Sequence, residues 1–331
     1  MNNPSRVYLD AFLDPLAEAL ARDDVTDVYI NRPGEMWLET AKGVERCDNP
    51  ALSDASLWRL ARQIAASSDQ GINREHPLLS ATLPDGARVQ ICAPPATRGN
   101  VIVAIRKHGL RDLTLSDYIS SGAFAHVGEA ARSTRAVDEE LEGLLAEGRT
   151  AEFLSLAVRR RKTMVISGGT GTGKTTFLNA LLKEAPTSER FVLIEDTPEI
   201  RLHHENAVGL IAVRGRLGEA SVSPAELVEA ALRLRPDRII MGEIRGTEAI
   251  SWLRAVGTGH PGSITTLHAN SPEGAVDQLA MLSMSAGTEL NRSEIGNYIR
   301  TTVDVFVQLG SFDGERLVTD IVFGRKRQTP S

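Results

Sequence analysis

Residues 168–176 read Gly168-Gly169-Thr170-Gly171-Thr172-Gly173-Lys174-Thr175-Thr176, and the reading of this stretch decides the fold. An apolar, β-branched run at 163–167 precedes it, and the spacing of 177–183 predicts a helix after it. The pattern G-x-x-x-x-G-K-[ST] therefore stands at the strand–loop–helix junction its chemistry needs. Gly168, Gly171 and Gly173 permit a tight turn that aims successive N–H groups at phosphate oxygens, and the following helix adds the positive end of its dipole. Gly169, Thr170, Thr172 and Thr176 complete the cradle. Lys174 is expected to reach the β- and γ-phosphates and the Thr175 hydroxyl to ligate Mg²⁺. A Gly-rich turn with a stray lysine would require neither flanking element, so the stretch is read as a nucleoside-triphosphate site.

Beyond the loop, strand and helix signals alternate. Residues 190–195 predict a strand and 224–234 a helix introduced by Ser223, with Pro224 in its first turn and Glu226 completing a capping box. Then follow a strand at 238–244, a helix at 248–256, a strand at 263–267 and a helix opened by Ser271-Pro272-Glu273. A helix at 291–302 and strands at 304–309 and 316–323, joined at Asp313-Gly314, end the series. Such alternation implies a mainly parallel sheet with helices on both faces, its active site at the carboxyl ends of the strands.

Before the loop, apolar spacing predicts helices at 8–22 and 53–68. Strands are expected at 25–31 and 35–39, around Arg32-Pro33-Gly34, then at 78–83, 88–93 and 100–106. The chain is thus divided into an N-terminal α+β domain (1–108), a linker with helical pieces (109–149) and a C-terminal α/β domain (150–331). The basic cluster Arg159-Arg160-Arg161-Lys162 ends a helix, where cations complement the dipole.

With 331 residues, 42% hydrophobic and 24% charged, the composition suits two ordinary globular domains. The net charge of −6 offers no global attraction to nucleic acid. Two cysteines, Cys47 and Cys92, suit a reducing cytoplasm and have no metal-ligand spacing. No leader-like segment precedes the first helix and no apolar run approaches roughly 18 residues, so any membrane role is expected to be peripheral. The basic tail Arg325, Lys326 and Arg327 is one candidate contact for it, against the simpler reading of a solvated end.

Hydrolysis of a phosphoanhydride needs a phosphate cradle, a metal, a carboxylate to orient water and positive charge. Ile239-Ile240-Met241-Gly242-Glu243 is an apolar strand ending in an acid, the Walker B form, and Glu243 is chosen to position the attacking water. Leu193-Ile194-Glu195-Asp196 is a second such strand. Glu195 is expected to share the water-activating task and Asp196 to hold Mg²⁺, with Asp196 as a turn-maker before Pro198 the alternative. His268, in Thr265-Thr266-Leu267-His268-Ala269-Asn270, again follows a strand and is read as a γ-phosphate sensor or proton carrier. His260 has the weaker case. Arg88, Arg106, Arg235, Arg238 and Arg245 are the candidate cations, and spacing alone does not choose among them.

These motifs resemble the secretion or traffic ATPases, the hexameric motors of type II and type IV secretion and of type IV pili. The resemblance spans nearly the whole chain and rests on the phosphate loop, the aspartate box at 194–200, the Walker B segment at 235–245 and the histidine box at 259–269, in the family's order. Asn31-Arg32-Pro33-Gly34-Glu35, residues 83–91 and Val103-Ala104-Ile105-Arg106-Lys107 make it most similar to the type IV secretion and conjugation branch. The resemblance implies a RecA-like ATPase domain, ATP and Mg²⁺ as ligands, a homo-hexamer, and Arg88 and Arg106 brought to the phosphates by the N-terminal domain. It also implies cytoplasmic residence at the inner membrane. The implied partners are membrane components and other ATPases of an apparatus that exports protein or nucleoprotein. A type II secretion or pilus motor is the nearer alternative, a nucleic-acid motor the more distant one. The tetracysteine zinc element of many type II members is absent, since two cysteines cannot build it.

Overall fold

Two sheets organise the chain, and the strand lengths follow from where each is buried. The computed structural model describes residues 9, 11–109, 114–201, 203–213 and 219–324. In the first unit, β1 (Val25–Ile30), β2 (Glu35–Thr40), β3 (Gly43–Asp48), β4 (Leu78–Thr82), β5 (Arg88–Cys92) and β6 (Ile102–Arg106) form an antiparallel sheet in the order β3-β2-β1-β6-β5-β4. Helix α1 (Ala17–Ala21) precedes it, and α2 (Asp54–Ser67) crosses between β3 and β4. Leu57, Leu60 and Ile64 of α2 lie at helical spacing and pack on Val28, Ile91 and Val103, giving this unit its own core. The Ser53 side chain caps α2 by accepting from the Ser56 N–H.

The second unit is a seven-stranded sheet in the order β13-β12-β7-β11-β10-β8-β9. Its strands are β7 (Met164–Gly168), β8 (Phe191–Glu195), β9 (Ala207–Ile211), β10 (Arg238–Met241), β11 (Ile264–Leu267), β12 (Val305–Phe312) and β13 (Glu315–Phe323). All its pairings are parallel except β12 with β13. β7, β8, β10 and β11 are buried along their whole length, which is why they read as unbroken apolar runs. Before the sheet come α3 (Leu115–Ser120), α4 (Glu129–Ala146) and α5 (Thr150–Arg159). Within it run α6 (Lys174–Leu182), α7 (Pro224–Arg233), α8 (Glu248–Gly257), α9 (Pro272–Met284) and α10 (Arg292–Thr302). Phe153, Leu178, Ile166 and Val307 fill one face, and Leu227, Trp252, Leu253 and Leu279 the other. This is the α/β architecture that the alternation implied.

The two units share packing. Tyr29, Trp37, Ile102 and Ala104 of the first sheet join the core that holds Leu227 and Trp252. Arg190, buried, lies 4.2 Å from the Tyr29 ring centroid and donates to Asn31 Oδ1 at 2.8 Å, and Asn31 donates to Asn206 Oδ1 at 3.0 Å. Burial pushes the Arg190 guanidinium down to about 10, so it stays charged at neutral pH.

Three local differences from the sequence reading have physical causes. Pro15 turns part of the expected first helix into a 3₁₀ turn, Asp14–Leu16. β3 has five exposed residues of six and so carries no strong strand signal, while β9, an apolar run after a polar loop, is a strand the sequence reading did not include. The helical part of the stretch read as linker is packed: Leu141 of α4 is fully buried against Phe153 and Val158. Among the described residues no helix is long and apolar enough to cross a membrane. Arg325, Lys326 and Arg327 lie outside the described residues.

Candidate active site

The phosphate loop is built by backbone constraint. Gly168 pairs with Leu309 of β12, and a Cβ at Gly168 would stand 2.8 Å from the Leu309 carbonyl oxygen, inside any tolerable contact. Gly171 and Gly173 have φ of +79° and +88°, which side chains disfavour. Gly173 caps α6 with no side-chain cap bond, so the N-cap residue leaves the first N–H groups of that helix open to a ligand. Lys174 Nζ donates to the carbonyls of Gly168 at 2.9 Å and Gly169 at 3.0 Å, and lies 3.4 Å from His268 Nδ1. Burial holds its pKa below the ordinary lysine value; Glu243 opposes this shift and Arg245 adds to it.

Glu243 follows β10 and is aimed by its neighbours. The Thr266 hydroxyl donates to the Gly242 carbonyl at 2.6 Å, and the Ile244 N–H to the Thr266 carbonyl at 3.0 Å. His268 Nε2 lies 2.9 Å from Glu243 Oε1, and Arg245 donates to Oε2. Glu243 Oε1 is buried and accepts no aligned hydrogen bond. That bond to Glu243, followed by its charge, raises the Arg245 pKa. Glu248 accepts from the N–H groups of Arg245 and Gly246 at 2.7 and 2.8 Å, fixing the turn. Gln308 donates to the Ala269 carbonyl at 3.2 Å and accepts from Ser167, tying the histidine's loop to β7 and β12.

Glu195 is engaged on both oxygens. Oε1 accepts from the N–H groups of Glu199 and Ile200 at 2.8 Å each, and Oε2 pairs with Arg98. Thr175 Oγ1 donates to Glu199 Oε2 at 3.2 Å. Thr175, Glu195, Asp196, Glu199, Gly242, Glu243 and Arg245 line one cleft of about 100 Å³.

The fold thus gathers Lys174, Thr175, Glu195, Asp196, Glu243 and His268 from four strand ends. It also gathers Arg98 and Glu199, which sequence reasoning missed. Arg245 is the one candidate cation beside Glu243. Arg238 is fully buried on Glu189, the Gly262 carbonyl and the Val158 carbonyl, and Arg235 bonds Glu39 of the first unit at 2.7 Å. His260 Nδ1 is held 2.9 Å from the Pro236 carbonyl. In the basic cluster, Arg161 pairs with Glu189 and Lys162 with Asp138.

Arg88 and Arg106 are not gathered with them. They face each other across β5 and β6 and line a separate groove of about 670 Å³, bounded by Leu232 and Arg233 of α7. No residue of the phosphate loop lines it. Arg106 bonds Asp27 at 2.9 Å.

A divalent cation has a chemically suitable place. Among the described residues no group of three His, Cys, Asp or Glu side chains could hold a metal alone. The cleft instead offers a hydroxyl, Thr175, beside the carboxylates of Asp196, Glu199 and Glu243. That oxygen-only, incomplete donor set fits Mg²⁺, which takes one or two protein ligands and completes its shell with phosphate and water.

A parallel sheet carrying a phosphate loop at one strand end and acids at the ends of its neighbours defines a P-loop ATPase. Residues 13–309 match the type II/IV secretion system protein family, and the chain belongs to that family. It is 36% identical to the type IV secretion system protein VirB11 of Bartonella henselae, over 96% of this chain and 93% of that one. It is 38% identical to VirB11 of Brucella suis, over 91% and 86%. PtlH of Bordetella pertussis is 36% identical over 95% and 94%. The crystal structure of the Brucella suis VirB11 ATPase in complex with sulphate superposes with a TM-score of 0.91 at 35% identity, covering 96% of this chain and 95% of that one. The protein is a type IV secretion ATPase.

Proposed function

We propose that the chain is a ring motor that hydrolyses ATP at the phosphate loop and spends the energy on relative movement of its two units. The constellation Lys174–His268–Glu243–Arg245 carries this reading. Lys174 would leave the loop carbonyls for phosphate, Glu243 would hold the attacking water, and His268, within reach of both, would register the γ-phosphate. Arg245 lies where negative charge develops. Mg²⁺, held by Thr175 with Asp196 nearby, would supply electrostatic stabilisation of the transferred phosphoryl group. Glu195 is assigned the ordering of residues 199–200, since its Oε1 accepts from both N–H groups there and its Oε2 is taken by Arg98.

Arg88 and Arg106 are proposed to serve nucleotide in a neighbouring subunit, because their groove is separate from the phosphate loop of their own chain. A homo-hexamer suits this, as do the exposed apolar side chains Leu115, Tyr118, Ile119, Phe124 and Val127, which a neighbour would cover. The remaining features are those the family resemblance implies: work at the cytoplasmic face of the inner membrane, with apparatus proteins as partners and protein or nucleoprotein as cargo. Electron microscopy of the purified chain with a non-hydrolysable ATP analogue tests the ring. Six-fold particles with analogue at the phosphate loop are expected, and monomers under saturating analogue would refute it.

A further inference from the structure

Arg316 is absent from every motif above, yet the hairpin at the sheet edge holds it over the phosphate loop. It pairs across β12–β13 with Ser311. Two residues before Ser311, Leu309 pairs with Gly168, so the Ser311–Arg316 rung overhangs the end of β7 where the loop turns. A methyl carbon built on Gly173 would lie 3.3 Å from Arg316 Cδ, 3.7 Å from Nη1 and 4.0 Å from Nε. The side chain therefore runs across the glycine that opens α6. It is exposed, and it makes no hydrogen bond or ion pair with any described residue. An arginine laid over converging N–H groups and left without a carboxylate suits an anion that those N–H groups also bind.

The sheet order says which part of the anion. β11, β10 and β8, on one side of β7, end in His268, Glu243 and Glu195. β12 and β13 lie on the other side. A nucleoside triphosphate whose terminal phosphate meets Glu243 and His268 must run along the loop away from them, toward Arg316. We propose that Arg316 binds the α-phosphate of the bound nucleotide and fixes its nucleoside end. This rests on the nucleotide site described above and adds a residue to it.

The test is a fluorescence displacement titration of the full chain, giving the Kd of ATP and of ADP for wild type, R316Q and R316K. ATP and ADP share the α-phosphate, so R316Q is expected to weaken both by the same factor, about tenfold for one charged contact. R316K keeps the charge and is expected to recover part of it. Unchanged affinities overturn the proposal. So does weakening of ATP alone, which would place Arg316 at the γ-phosphate, and so does R316K no better than R316Q, which would indicate stacking on the base. Because the Arg316 side chain is exposed and makes no hydrogen bond or ion pair with any described residue, its variants should melt with the wild type. A wild-type chain that binds neither nucleotide overturns the nucleotide site itself, whereas wild-type binding with an unaltered R316Q overturns this proposal alone.

Discussion

Arg98, in the connection between β5 and β6 of the first unit, pairs with Glu195 at the end of β8 in the second. Its stem lies on Gly209, where a Cβ would stand 2.5 Å from Arg98 Cδ, so β9 makes room for it. The pair links the N-terminal sheet to the carboxylate that orders residues 199–200 beside Thr175.

Arg98→Ala leaves the buried Glu195 without its cation and is expected to lower ATP turnover about tenfold or more through disorder of the 199–200 turn. Gly209→Ala, which touches no catalytic group, should reproduce part of that loss by displacing Arg98. Steady-state phosphate release measures both. Wild-type turnover in Arg98→Ala would show the pair to be a passive contact.

Glu243→Gln removes the charge that is expected to polarise water but keeps the shape. Turnover should fall about a thousandfold, within the usual range for losing a general base, while ATP binding persists. A trapping assay should then find ATP, not ADP, on the variant. Lys174→Ala differs by losing affinity and turnover together.

Glu189 lies buried between Arg238 and Arg161. Its burial favours the protonated form, but Arg238 and then Arg161 outweigh this and hold its pKa below 4.5. The stabilisation is therefore complete above pH about 4.5 and is lost as pH falls through the lower, folded-state value. Glu189→Gln should cost about 3 kcal/mol at pH 7 by leaving the Arg238 charge buried. The gap from wild type should close as both are titrated to acid pH in urea unfolding. A gap that stays constant with pH would exclude the ion pair as its source.

What was legible in the sequence was the chemistry that is local along the chain. The loop's glycines, Lys174 and Thr175 lie within nine residues, and Glu243 and His268 each follow a strand recognisable by its apolar run. What was not legible was chemistry made by register and packing. Arg98 sits in a polar turn, residues 94–100, and meaning comes to it only from Glu195, far along the chain. Arg316 reaches Gly173 only through the pairing of Leu309 with Gly168. Ala207–Ile211 did carry a strand signal, five apolar residues after a polar loop, and reading it would have added the sheet edge on which Arg98 rests. Arg88 and Arg106 carry the opposite lesson: family order brought them to a phosphate, and the sheet placed them in a groove shared with α7.

That groove yields a prediction about which subunit the two arginines serve. Arg88→Ala/Arg106→Ala has an intact phosphate loop, and Lys174→Ala has intact arginines, so each alone should be nearly inactive if both features are needed at one nucleotide. If the arginines act on a neighbour's nucleotide, a ring containing both variants has sites where a good loop faces good arginines. Random mixing in equal amounts creates them at about a quarter of positions, so co-assembled variants should recover ATPase activity toward that fraction of wild type. Arginines acting within their own chain would yield no such sites, because every chain would carry one defect. Turnover measured after co-purification of differently tagged variants separates the two outcomes, and no recovery in verified mixed rings would confine the arginines to their own chain.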